Sequence, residues 1–107
     1  MNQETYTKYY NEVPKQIFSL VNVFKNKNRL MLFIIILKEE SISFKELMTI
    51  TGYLDGYLSY ELNDLMLAGV VQRIGELSED NYKQYYQPTE IGKLVMKKLI
   101  EAVLFID

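Results

Sequence analysis

Residues 43–71 read SFKELMTITGYLDGYLSYELNDLMLAGVV, and the spacing of their polar and apolar positions decides the architecture of the chain. Ser43 and Glu46 stand three apart ahead of an apolar run, an arrangement in which a hydroxyl and a carboxylate each satisfy a free amide at a helix start. A helix is therefore expected from about Phe44, carrying Leu47, Met48 and Ile50 inward. Gly52 supplies the left-handed residue that closes it, and Asp55, four positions before Ser59, offers a cap for the next helix. That second helix covers about 55–68 and ends at Gly69. On a wheel of ~100° per residue, Leu58, Leu62 and Leu65 gather into one buried stripe, while Gly56, Tyr60 and Asn63 point outward with Tyr57 and Ser59 beside them. Two short helices thus meet at a tight glycine turn.

On the C-terminal side, VVQRI is β-branched and reads as a strand, GELSEDN as a loop and YKQYYQ as a second, aromatic strand, so residues 70–87 form a hairpin with a long tip. Thr89, after Pro88, caps a last helix, EIGKLVMKKLIEAVLFI. On the N-terminal side, Leu30 to Leu37 is an eight-residue apolar run whose helix is apolar all round and belongs in the middle of a core. Asn28 is its expected cap. At eight residues the run is far short of the roughly 20 that a bilayer span needs. The polar break KNKN separates it from VPKQIFSLVNVFK, where Val13, Ile17, Phe18, Leu20, Val21 and Phe24 share a helical stripe and Pro14 suits the first turn. Residues 1–12 are polar and aromatic, lack the pattern of a signal peptide, and are expected to be a flexible segment.

A chain of 107 residues with 49% apolar and 24% charged side chains has the composition of one ordinary globular domain, here 13–107. With 0 Cys and 0 His it has no disulfides, no thiolate or imidazole metal site and no His-based triad. Carboxylate pairs such as Glu39-Glu40 and Glu79-Asp80 have no partner that reads as acid, base or nucleophile, and count as solvated charge. No catalytic residue, metal or cofactor is expected, and a cytoplasmic setting is the default.

The order of elements, mainly α with a small β-hairpin, resembles the winged helix-turn-helix transcriptional regulators of the ArsR/MarR kind. The likeness covers roughly residues 28–103 and rests on SFKELMTITGYLDGYLSYELNDLMLAGVV followed by YYQPTEIGKLV. These carry an F-x-E-L helix, a glycine turn, an L-S-x-x-L helix, A-G and two hydrophobics, then Y-x-x-T-x-x-G. The resemblance implies five helices plus a two-stranded wing, a recognition helix at about 55–68 in the major groove of duplex DNA, and the hairpin 70–87 as the wing. The implied DNA contacts are Ser43, Lys45, Gly56, Tyr57, Ser59, Tyr60, Asn63, Arg73 and Lys83. Asn suits a bidentate bond to adenine, hydroxyls suit phosphates, and a glycine permits close approach of backbone amides. Metal sensing, which usually needs Cys or His, is not expected.

Charge complicates this picture. Residues 1–45 hold seven Lys/Arg against four Asp/Glu, residues 46–72 hold none against four, and residues 73–107 hold five against six. The reading helix has no cation, and the wing tip carries Glu76, Glu79 and Asp80. Lys25, Lys27 and Arg29 are further candidate phosphate anchors, and a homodimer would double every phosphate contact. Surplus apolar positions on the terminal helices, 13–27 and 89–107, suit such a dimer: Ile17, Phe18, Val21, Phe24, Val95, Met96, Leu99, Ile100 and Val103, with Val23 also beyond the narrow seam. The competing reading is a winged-helix module whose acidic helix and wing face a basic protein partner, without sequence-specific DNA binding.

Overall fold

The computed structural model describes residues 2–77 and 82–106, with the side chains at 76, 77, 82 and 83 outside the described set. Six helices and three short strands follow the chain order α1 (Gln3–Glu12), α2 (Lys15–Phe24), α3 (Lys27–Glu39), β1 (Ile42–Ser43), α4 (Phe44–Thr51), α5 (Asp55–Leu67), β2 (Val71–Leu77), β3 (Tyr82–Pro88) and α6 (Glu90–Ile106). The sheet is antiparallel in the order β1-β3-β2. The two-stranded wing, β2–β3, is extended by a third strand, because Ile42 and Ser43 pair with Tyr86 and Tyr85. So short a strand leaves no alternation for a sequence pattern to register.

Within the segment expected to be flexible, 1–12, residues Gln3–Glu12 form α1. Asn2 caps it by accepting from the Glu4 amide at 2.8 Å, and Glu4 adds negative charge to the first turn. Tyr6 stacks on Tyr10, and Tyr10 on Phe18 of α2 with ring centroids 5.0 Å apart. Pro14 divides α1 from α2 and serves as the N-cap residue of the second helix. The cap of α3 is Asn26, whose side chain accepts from the Arg29 amide, not Asn28. The α2–α3 turn is correspondingly tighter than the KNKN break suggests.

At α4 half of the expected capping box forms: the Ser43 hydroxyl accepts from the Glu46 amide at 3.1 Å, and the Glu46 carboxylate accepts from that hydroxyl at 3.0 Å in place of a free amide. Gly52, at φ 72°, closes the helix. Leu47 is fully buried, but Ile50 is 55% exposed, outside the core where it was expected. Helix α5 is capped one residue earlier than expected: Leu54 is the N-cap residue, and Asp55 lies in the first turn, accepting weakly from Ser59. Leu58, Leu62 and Leu65 are all buried, as the wheel requires.

The core joins these leucines to Leu32, Phe33 and Ile36 of α3, Val23 of α2, Ile42, Leu47, Val70, Val71 and Tyr86. Val23, read as surplus, is the buried residue of α2, and the stripe of Ile17, Phe18 and Val21 faces outward. The C-terminal helix is bolted on through Thr89. Its hydroxyl donates to the Gly69 carbonyl at 2.6 Å and accepts from the Gly92 amide at 2.9 Å, while its own amide donates to the Val70 carbonyl. Gly92 lies so close to that carbonyl that a Cβ there would overlap it. The T-x-x-G spacing thus has a local cause: a cap at the first position and backbone contact at the fourth.

Both terminal helices project from this core. Every residue of α1 is exposed, and Gly92 is the buried residue of α6. The radius of gyration is 16.5 Å, against ~13 Å for a compact domain of this length. The accessible surface is 8159 Å², against about 6,200 Å² for a compact monomer of this mass.

Candidate nucleic-acid interface

The α4–turn–α5 unit sets α5 on the outside of the core, and what its surface offers follows from how its inner sides are used. Gly56, Ser59, Tyr60 and Asn63 are exposed, Tyr60 to 62%, and Leu67 continues the same face at 72%. Leu54, at the leading end of the helix, is 79% exposed. Neither leucine stands out in the sequence, where both read as ordinary helix apolars. A Cβ at Gly56 would meet nothing within 4 Å, so the fold itself does not require glycine there.

Tyr57 differs from its neighbours. Its hydroxyl accepts from the Asn28 side chain at 3.2 Å, and its ring lies edge-on to Tyr53 at 4.9 Å, so it braces the first turn of α5 against the start of α3. The Ser43 hydroxyl is committed to the α4 cap. Lys45, on the first turn of α4, and Arg73, on β2, are exposed. Lys83 is paired in register with Glu76, but both side chains, like Glu79 and Asp80 of the wing tip, lie outside the described residues.

Two of the acidic residues of α5 do not face solvent as an acidic outer surface would require. Glu61 is 2% exposed and Arg29 6%, and the two form a buried ion pair. Arg29 Nε donates to Glu61 Oε2 at 2.7 Å, Nη2 reaches Glu61 Oε1 at 3.4 Å and Asp64 Oδ2 at 2.8 Å, and Nη1 donates to the Asn22 carbonyl at 2.8 Å. The Asn22 carbonyl is among the last four of α2, which lack intrahelical partners. The Glu61 hydrogen bond outweighs burial and drives the Arg29 pKa still higher, so the guanidinium stays charged. No buried side-chain polar atom among the described residues lacks a partner. Arg29 is therefore not a phosphate anchor, contrary to the expectation from its basic neighbourhood. Equally, two of the four carboxylates in 46–72 are neutralised internally, and Glu46 serves its cap. The available signal was an acidic pair three apart on the flank of the leucine stripe, together with one basic residue at the edge of the apolar run.

Of the candidate anchors, Lys25 and Lys27 at the α2–α3 turn, Lys45 and Arg73 face outward. Lys27 adjoins Asn28, which touches Tyr57, so the turn lies at the leading end of α5. Lys38, Lys93 and Lys97 instead line a cleft of about 430 Å³ between α3 and α6 with Ile34, Leu37, Met96 and Ile100. Among the described residues no cluster of His, Cys, Asp or Glu could hold a metal ion, and no helix is long and apolar enough to cross a membrane.

Of the nine terminal-helix residues proposed for pairing, Ile17, Phe18, Val21, Leu99, Ile100 and Val103 are exposed. Phe24 and Met96 are half-buried and pack on the chain's own core, and Val95 is half-buried.

A helix-turn-helix whose second helix is exposed, followed by a β-ribbon and flanked by projecting helices, defines the winged-helix class. Solved structures place the chain more narrowly. A protein assigned to the MarR family of transcriptional regulators from Porphyromonas gingivalis W83 superposes with a TM-score of 0.66 over 88% of this chain and 89% of its own, at 23% identity. A transcriptional regulator homologue from Pyrococcus horikoshii OT3 gives 0.68 over 87% and 94%, at 16% identity. MarR itself gives 0.62 over 78% of this chain and 60% of its own, at 20% identity. No protein-family model and no curated protein matches the sequence. The chain has the MarR-type winged-helix fold, with one more helix than the resemblance implied.

Proposed function

We propose that the chain is a DNA-binding transcriptional regulator that acts as a homodimer in the cytoplasm, with α5 in the major groove and the β2–β3 hairpin on the backbone. The observation that carries this reading is the outer face of α5: Gly56, Ser59, Tyr60 and Asn63 form an exposed, hydrogen-bonding ridge, with Asp55 beside it accepting from Ser59 and the carboxylates of Glu61 and Asp64 turned onto Arg29. Asn63 offers an amide matched to an adenine edge, and Leu54 and Leu67 offer apolar contact of the kind that meets a thymine methyl. Phosphate contact falls to Lys25, Lys27, Lys45, Arg73 and Lys83. Burial of Glu61 also removes charge from the helix that an acidic-surface protein module would use.

A second copy is the partner that best suits the arms. Exposed apolar side chains run along α2 and α6, and the surface exceeds that of a compact monomer by roughly a third. Two copies would place two reading helices on half-sites one helical turn apart, and double the few cations available.

The test is selection of bound duplexes from a random pool, followed by fluorescence anisotropy across a salt series. Saturable binding that resists competitor and weakens with salt, at a log–log slope of about −0.9 per phosphate neutralised, supports the reading. Absence of saturable binding at low salt overturns it.

A further inference from the structure

The inner surface of α5 carries two parallel stripes. One is apolar: Leu58, Leu62 and Leu65, all buried. The other is polar: Tyr57, Glu61 and Asp64, spaced four and three apart, each bonded to residue 28 or 29 at the start of α3. Apolar burial is nearly non-directional, so the leucine stripe alone leaves the helix some freedom to roll and slide on the core. A guanidinium fork on a carboxylate fixes both direction and distance. Arg29 adds a third tie, through Nη1 to the Asn22 carbonyl at the end of α2.

We infer that Asn28 and Arg29 form a positioning clamp that sets the roll of α5 and its placement relative to α2, and so determines which base pairs and which half-site spacing the protein selects. This role rests on the proposed function. Arg29 is buried away from the nucleic acid, and the clamp acts through Tyr57, Glu61 and Asp64. The geometry also accounts for why an ion pair occupies a site that aliphatic side chains would fill at similar stability: replacing a buried pair by apolar groups is often neutral for stability, and what is lost is the fixed register.

The decisive variant is Arg29→Met with Glu61→Leu, which removes the fork together with its buried carboxylate and leaves Asp64, 26% exposed, to turn to solvent. Its thermal unfolding is expected to remain cooperative. Anisotropy against the selected duplex, and against duplexes with half-sites displaced by one or two base pairs, is expected to show at least a tenfold loss of discrimination. A folded double variant that discriminates as the parent does overturns the clamp. Arg29→Lys keeps the charge but not the fork; if the double variant fails to fold, full discrimination by Arg29→Lys overturns it equally.

A second measurement is independent of DNA. The chain has no native cysteine, so Gln16→Cys and Leu67→Cys provide exclusive sites for spin labels on α2 and α5, diluted with unlabelled protein. A narrow dipolar distance distribution that broadens or shifts in the clamp variants supports the clamp, and an unchanged one overturns it. If the parent binds no duplex, the functional reading fails while this distance measurement still decides the clamp.

Discussion

Two residues on α5 separate recognition from folding. Gly56 has open space where a Cβ would sit, and alanine is the better helix former. Gly56→Ala should therefore stabilise the chain, by about 0.5 kcal/mol, measured by urea unfolding, and yet weaken specific duplex binding severalfold because the added methyl stands on the reading face. Stabilisation without loss of binding would remove Gly56 from the interface. The Asn63 side chain has no hydrogen-bond partner among the described residues, and Asn63→Ala should leave the melting temperature within a degree or two. The same substitution should relax the preference at one base pair by roughly 1–3 kcal/mol, with the salt slope unchanged, as read by anisotropy against duplexes altered at single positions. A changed slope would place Asn63 on phosphate instead.

Among the elements, the junction of β2 with α6 is the least tolerant. Thr89 ties the Gly69–Val70 carbonyls to the first turn of α6, and Gly92 passes against the Val70 carbonyl with no room for a side chain. Gly92→Ala should cost about 1–3 kcal/mol, because backbone on both sides must shift. Denaturant unfolding checks it, and a cost near zero would mean that α6 is free to move on the sheet. This junction matters beyond its own stability, since α6 carries the apolar surface assigned to the second copy. The capping box at Ser43, the αL glycines and the Thr89 cap were all legible in the sequence, because a cap is a local contact between residues two to four apart. The pairing of Ile42 and Ser43 with β3 was not, since it joins residues more than forty positions apart.

For the molecule as a whole, the projecting arms and the buried tyrosines give two measurable consequences. Val21 and Val103 are about half exposed and meet solvent in the single chain, so Val21→Glu with Val103→Glu should leave the circular dichroism spectrum unchanged while converting a dimer to a monomer on sedimentation. A parent protein that is itself monomeric at micromolar concentration would refute the pairing. Burial raises the phenol pKa of Tyr86 and of Tyr53 above the ordinary value of 10.0, with Arg73 partly offsetting it at Tyr86. The folded state then holds these protons more tightly than the unfolded chain. Their contribution to stability is complete below pH 10 and is lost as pH rises through the elevated folded values. Tyr86→Phe should flatten that alkaline decline, seen as a smaller drop in melting temperature between neutral and strongly alkaline buffer.

The sequence by itself determined the winged-helix order, the leucine stripe of α5, the ends of α4 and the Thr89 cap of α6, because period and capping are properties of neighbouring residues. It also marked Gly56, Tyr60 and Asn63 as outward, since the helical wheel needs no knowledge of what packs against it. Only the tertiary structure decided the meaning of the charges. Arg29 and Glu61 lie thirty-two positions apart, and nothing local distinguishes a carboxylate that faces water from one that faces a guanidinium. Their pairing withdraws a cation from the anchor set and takes the Glu61 and Asp64 carboxylates off the reading face, where Asp55 stays exposed, because the core brings the start of α3 against the flank of α5.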